Sequence, residues 1–429
     1  MVTLFFFFFF LLLLLFLSSS VSSHSQPYFK LPLTANTPFI SATEALIHDS
    51  LRLSSSSLTA PIVSAASSGA GHYVASLHLG TPPQLLRLVA DTGSDLVWSR
   101  CSPSSRPRSS SAFFPRLSSS FSPFHCYDSS CRLVPHPHRR KGKLSCPRSR
   151  LHSPCRFLYS YSDGSASSGF FSRETLTLTS STRPIRIPSF RFGCAFNVTA
   201  DRSIHGVLGL GRGPISFPSF AALRFGNSFS YCLGDYALSP PLTSFLVIGR
   251  RNSTAALRYT PLLSNPLSPT YYYVGVVSAS LNGKVLPIDP AVWALDRATG
   301  AGGVVVDSGT TLSFLPAAAY RCVVRALAKR LPRAAQLPGP AGFDLCLNAS
   351  AAARIPSLAF RLRGGAEFAP PPLNYFIEAA EGVKCLALQP VAADGPGFGV
   401  IGNLMQQGFA IEFDRVAGRL GFAWTGCAE

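Results

Sequence analysis

Apolar and polar residues alternate along this chain in short runs, rarely at helical intervals. Tyr73-Val-Ala-Ser-Leu-His-Leu79 alternates as a half-buried strand does. Leu85–Ala90 is a continuous apolar run that stops at Asp91. Thr175–Leu178, Phe245–Ile248, Tyr271–Val277 and Ala410–Phe413 read as further short strands between turn signals. Asn282-Gly283, between apolar runs, predicts a two-residue hairpin. Only Ala317–Arg330, starting just after Pro316, has a clear helical pattern. An all-β fold with few helices is expected.

The ends change the picture. Leu4–Leu17 is an unbroken Phe/Leu run, shorter than the roughly 20 residues needed to span a bilayer. Small residues follow up to Ser23, so residues 1–23 read as a secretory leader, although no Lys or Arg precedes the apolar run. No later stretch is apolar and long enough to span a membrane, and nothing hydrophobic follows Cys427, so no lipid-anchor tail is expected. Residues 24–70 are Ser-, Thr- and Ala-rich and read as a pro-segment. The expected destination is the cell exterior (apoplast or wall), with the vacuole as the other option. The sequons at Asn197, Asn252 and Asn348 fit that route.

Composition then limits the partners. Hydrophobic residues at 47% and charged ones at 14% give a chain that buries a large core, which excludes wholesale disorder. The net charge of +18 admits anionic cell-wall polymers as partners. Nucleic acid is not expected: the basic run His138–Lys143 resembles a nuclear signal, but an exported chain never presents it to import.

A loose internal repeat carries the chemistry. Val89-Ala-Asp-Thr-Gly-Ser-Asp-Leu-Val-Trp98 is echoed by Val305-Val-Asp-Ser-Gly-Thr-Thr-Leu-Ser-Phe314. Each copy is followed later by an apolar-apolar-Gly segment, Val207-Leu-Gly209 and Val400-Ile-Gly402. The aspartates lie 216 residues apart (307 minus 91), about one lobe. Two lobes, residues 71–255 and 256–429, would each bring one carboxylate. Carboxylates held close cannot both ionise easily, so a pair shares a proton. One then acts as base on a water while its protonated partner polarises a carbonyl. Gly93 and Gly309 let backbone N–H groups approach the carboxylates. Thr92, Ser94, Ser308 and Thr310 supply hydroxyls that orient them. A lone Asp-Thr-Gly-Ser is a common turn, but two copies with matching flanks are not. No metal or cofactor is needed. Gly209-Leu-Gly-Arg-Gly213 lacks a phosphate-loop ending and precedes Pro214, so it reads as a tight turn, and no Gly-x-Ser-x-Gly elbow occurs.

On these residues the chain, from Tyr73 to Cys427, resembles the pepsin-like aspartic proteases, in particular the plant nepenthesin-type group. The resemblance implies a bilobal β fold with a cleft between similar lobes, acid-pH endopeptidase activity, and a monomer that binds peptide substrates extended in the cleft. Asp91 and Asp307 match the family's catalytic aspartates. Tyr161-Ser-Asp-Gly-Ser165 matches the tip of its flap, with Tyr161 as the flap tyrosine and Trp98 as the tryptophan that hydrogen-bonds it. Ser162 departs from the glycine usual there. The saposin-like insert of other plant members is missing. Some relatives have lost catalysis and inhibit cell-wall-degrading glycosidases, which is the alternative function. Such proteins typically break an Asp motif or the flap; here both are intact. Residues 24–70 are expected to mask the cleft in a zymogen and to be removed, with Lys30 or Arg52 near the dyad.

The chain has 11 cysteines. Four of them crowd into Cys126–Cys155, within an insertion over residues 101–155. Zinc on Cys126, Cys131, Cys146, Cys155, His136 and His138 is disfavoured, because the spacings lack a tight Cys-x2-Cys knuckle and an exported chain favours disulfides. Nested pairing gives Cys126–Cys155 around Cys131–Cys146. Relatives imply Cys101–Cys194, Cys232–Cys427 and Cys346–Cys385. Cys322 is left as a free thiol, expected on the core face of its helix.

Overall fold

The computed structural model describes residues 28–35, 71–104, 112–136, 146, 150–160, 166–178, 184–199, 205–235, 243–250, 255–340, 342–391 and 397–428. Tyr161 and the rest of the expected flap tip, residues 161–165, lie outside them, as do the leader 1–23, Arg52, His138 and Asn252. The chain is built mostly of strands, arranged in two lobes. A 19-stranded sheet runs through both lobes, and two 4-stranded sheets complete the C-terminal one.

Alternation decides the first strands. Tyr73–Leu79 turns Ala75, Leu77 and Leu79 into the core and pairs antiparallel with Gln84–Asp91. Asn282 and Gly283 both have left-handed backbone, φ 48° and 76°, and join Val276–Leu281 to Lys284–Val285 as the sequence predicts. The helix Ala317–Arg330 buries Ala319, Tyr320, Val323 and Leu327, one apolar face. Among the described residues, two α-helices lie outside the predicted pattern. Phe217–Phe225 is capped by Ser216, whose side chain accepts from Ser219 N–H, and Asn403–Gln406 is a single buried turn.

The lobes meet through strands as well as loops. Ser228–Cys232 pairs with Phe409–Asp414, placing Tyr231 opposite Ile411. Phe229 stacks on Phe413 with ring centres 4.5 Å apart. Into this sheet also runs a strand from the expected pro-segment. Phe29–Ala35 pairs with Ser244–Ile248 and with Tyr73–Leu79, and buries Phe29, Leu31 and Leu33. Lys30, expected beside the dyad, has its ammonium 4.3 Å from the centre of the Phe245 ring. Phe29, Leu31 and Leu33 alternate at strand period, but Pro32 within the run and the Ser/Thr/Ala-rich composition of residues 24–70 mask it.

The cysteines correct one expectation. The bridges are Cys101–Cys194, Cys232–Cys427 and Cys346–Cys385, and in the insertion Cys126–Cys146 and Cys131–Cys155. The insertion is therefore crossed, not nested. Segment 124–126 runs beside 153–155 through Cys126 N–H to Ser153 O and Cys155 N–H to Phe124 O. A turn at Asp128, where Cys131 N–H donates to the Asp128 carbonyl, then swings Cys131 inward beneath buried Cys155 and leaves Cys126 to Cys146. Spacing alone permits three pairings of four cysteines. These thiols are consumed, so the clusters Cys126/Cys131/Cys146 and Cys131/His136/Cys155 offer no thiolates to a metal. Cys322 is free but half-buried rather than buried, because it flanks Val323 on the helix instead of sharing its inward position. Non-reducing peptide mapping should recover Cys126–Cys146 and Cys131–Cys155 peptides, with Cys322 alone alkylated before reduction; a Cys126–Cys155 peptide contradicts the crossed pairing.

Candidate active site

Each lobe presents its aspartate at the end of a strand held in a parallel ladder. Gln84–Asp91 runs parallel to Gly206–Gly209, with Asp91 opposite Gly209. Val304–Val306 runs parallel to Gly399–Ile401, with Val306 opposite Ile401. The chain returns the same way in both lobes, Trp98 pairing antiparallel with Val207 and Phe314 with Val400. The glycines of the apolar-apolar-Gly segments are fixed by close approach. A β-carbon at Gly209 would stand 2.5 Å from the Asp95 carbonyl, and one at Gly402 2.0 Å from that of Leu312. The sequence repeat is thus two copies of one local structure.

The two loops then interlock. Thr92 N–H donates to Ser308 Oγ (3.1 Å), and Ser308 N–H donates to Thr92 Oγ1 (2.9 Å). Each hydroxyl donates onward across the junction, Thr92 to the Val306 carbonyl (3.2 Å) and Ser308 to that of Ala90 (2.9 Å). All four groups are buried. Asp91 and Asp307 lie above this lattice, both buried. Gly93 N–H and Gly309 N–H each reach Oδ1 of their own aspartate at 2.9 Å. Ser94 Oγ and Thr310 Oγ1 each reach Oδ2 at 2.5 Å. Thr92 Oγ1 also approaches Asp307 Oδ1 at 3.4 Å. Every expected supporting residue therefore touches a carboxylate or the lattice beneath it.

The two glycines report how near each carboxylate lies to the opposite loop. A β-carbon at Gly93 would be 2.9 Å from both Asp307 carboxylate oxygens, and one at Gly309 would be 2.1 Å from Asp91 Oδ1. No residue larger than glycine leaves that space open. Trp98 is buried on the strand Trp98–Arg100, where the Gly206 and Gly193 backbones close against it. Its expected partner Tyr161 lies outside the described residues.

Polar residues behind the dyad were not legible in the repeat. Gln406 Nε2 donates to the carbonyls of Asp307 (3.1 Å) and Ile401 (2.8 Å) and its Oε1 accepts from Tyr231. Burial, with the Asp307 charge second, pushes the Tyr231 phenol well above its usual range, so it stays a neutral donor. Asn403 Nδ2 ties the Ser308 carbonyl to that of Gly71 at 3.1 and 2.8 Å. Asp95 stood inside the motif, and a carboxylate four residues past Asp91 was the available signal. Its Oδ1 accepts from Gly213 N–H and its Oδ2 from Thr270 Oγ1, both at 2.7 Å, which joins the Gly211–Gly213 loop to the second lobe. The Gly-rich turn is explained by the same group, since β-carbons at Gly211 and Gly213 would lie 2.3 and 2.1 Å from Asp95 oxygens.

Desolvation of its carboxyl end raises the Asp95 pKa, against the two hydrogen bonds and Arg415, which favour the anion. A carboxyl whose folded pKa is raised gives stability that is full below its unfolded value, about 4, and is lost as pH climbs through the folded value. Asp95→Asn should therefore flatten the fall in melting temperature on going from acid towards neutral pH; an unchanged slope would show that Asp95 does not titrate there. Gly309→Ala should displace the Asp91 carboxylate and destabilise the fold by about 1–3 kcal/mol, with the circular dichroism spectrum retained; an unchanged stability would contradict the tight approach.

Comparison with known proteins fits this geometry. The family model described as xylanase inhibitor N-terminal matches residues 73–250, and the one described as xylanase inhibitor C-terminal matches 271–424. Aspartyl protease family protein 2 of Arabidopsis thaliana is 37% identical over 86% of this chain and 73% of its own length. Aspartic proteinase nepenthesin-1 of Nepenthes gracilis is 32% identical over 84% and 79%. The crystal structure of edgp superposes with a TM-score of 0.71 at 20% identity, covering 93% of this chain and 95% of that one, which is a likeness of fold. On this similarity, the chain belongs to the plant nepenthesin-type group of the pepsin-like aspartic protease family.

Proposed function

We propose that the chain is an endopeptidase that cuts peptide bonds at acidic pH with Asp91 and Asp307 as its catalytic pair. The observation that carries this reading is the doubled cradle, in which each carboxylate is held by its own Gly N–H and hydroxyl across one interlocked junction. The pair shares one proton. The ionised member takes a proton from a water, and that water attacks the scissile carbonyl. The protonated member donates to the carbonyl oxygen, giving a neutral tetrahedral diol, and collapse returns a proton to the departing nitrogen. No covalent bond to the enzyme forms.

The substrate is an extended peptide of about seven or eight residues, bound as an added strand with bulky apolar side chains flanking the cut. Tyr161 closes over it. Export through the leader 1–23 goes with this reading, and Asn197 and Asn348 are exposed at their sequons. Maturation by loss of residues 24–70 would take the strand Phe29–Ala35 out of the central sheet, so release is a strand-displacement event and not the trimming of a tail.

A second reading, an inhibitor of wall-degrading glycosidases, draws on the description of the two matched family models. It needs no working dyad, and the complete cradle supports the first reading over it. Asp91→Asn and Asp307→Asn should each cut hydrolysis of a denatured protein at acidic pH by about a thousand-fold or more, and a statine-type peptide should inhibit the parent chain. Full activity in either variant, or inhibition by chelators instead, would overturn the catalytic assignment. An inactive parent chain that blocks a xylanase would establish the second reading.

A further inference from the structure

The positive surplus is not spread evenly. Residues 101–156 hold 11 of the 38 lysines and arginines and only one of the 20 acidic residues, Asp128. More than half of the +18 net charge therefore sits in the cysteine-stapled insertion and its first following residue. Asp128 is engaged: its Oδ2 accepts from His125 N–H at 2.6 Å and lies 3.9 Å from His125 Nδ1. Arg132 and Arg150 are exposed and meet no carboxylate within ion-pair distance among the described residues.

The stapled unit also carries exposed aromatic and aliphatic surface. Tyr127 is 52% exposed, and Leu133 and Leu151 are exposed beside the two arginines in sequence. The His125 ring lies parallel to the Tyr127 ring at 5.3 Å, and the His152 ring is inclined 64° to it at 5.3 Å. Backbone pairing fixes the layout, with Tyr127 N–H donating to the Leu151 carbonyl and Ser153 N–H to that of Arg150. The crossed disulfides Cys126–Cys146 and Cys131–Cys155 staple both segments, so the unit is pre-organised and little ordering entropy is lost on binding.

We propose that this stapled unit, through Arg132, Arg150, His125, Tyr127 and His152, binds an acidic polysaccharide of the uronic acid class and, on the function proposed above, holds the protease on it. Guanidinium groups match carboxylates in paired hydrogen bonds. A half-exposed aromatic platform covers the apolar face of a sugar ring. A uronic acid polymer offers both features at every residue. The export proposed above, on which this choice of polymer rests, would bring the chain to such polymers outside the cell, which favours them over nucleic acid, the other polyanion a basic aromatic surface would take.

The test uses the full-length chain and de-esterified polygalacturonate in affinity electrophoresis at several salt concentrations. The parent chain should bind, with affinity falling steeply as salt rises. R132Q/R150Q should weaken binding by about a hundred-fold, roughly ten-fold per arginine, and Y127A should weaken it at constant salt slope. Fully methyl-esterified polymer should not bind. Peptide hydrolysis and the disulfide map should be those of the parent in every variant, so a failure here is distinct from a failure of the catalytic reading. Unchanged binding in R132Q/R150Q, equal binding of the esterified polymer, or tighter binding of duplex DNA would each overturn the proposal.

Discussion

The reciprocal exchange between Thr92 and Ser308 is the constraint on which the rest of the site depends. Each loop donates a backbone N–H to the other's hydroxyl, and each hydroxyl donates a hydrogen bond to a carbonyl across the junction. Four buried polar groups are satisfied only when both lobes are in register, and an unmade buried hydrogen bond costs about 1–3 kcal/mol. The junction is therefore all-or-none. Asp91 and Asp307 inherit their positions from it, because the residues that hold each carboxylate are the next two or three in the same loops.

Outward from that lattice the fold supplies successive supports. Parallel pairing of each aspartate strand with an apolar-apolar-Gly segment sets the loop height. Gln406 and Asn403 tie the carbonyls behind the second loop, and Asp95 ties the Gly211–Gly213 turn to Thr270 of the second lobe. The pairing of Ser228–Cys232 with Phe409–Asp414 continues the sheet between lobes, and Cys232–Cys427 closes it covalently. Asp95, whose burial favours the neutral acid, contributes stability that is greatest at low pH.

Much of this was legible in the chain. The doubled Asp-(Thr/Ser)-Gly-(Ser/Thr) runs name both carboxylates and all six supporting residues, because tight loops around a buried charge require glycine and short hydroxyl side chains at fixed offsets. Tyr73–Leu79 and Ala317–Arg330 were legible from period alone, since each buries one face. What was hidden depends on distant pairing. The strand Phe29–Ala35 has meaning only beside Ser244–Ile248, and Gln406 only beneath Asp307. The crossed insertion bridges depend on one turn at Asp128, which spacing between cysteines does not encode.

The most direct test of the central claim is a double-mutant cycle on Thr92→Val and Ser308→Ala, read in kcat/KM for peptide hydrolysis at acidic pH. If the two side chains form one lattice, either change alone removes most of the rate, the double variant loses little more, and the coupling energy is about 1–3 kcal/mol. Losses that simply add, or a rate untouched by both changes, would show that the carboxylates do not depend on this junction.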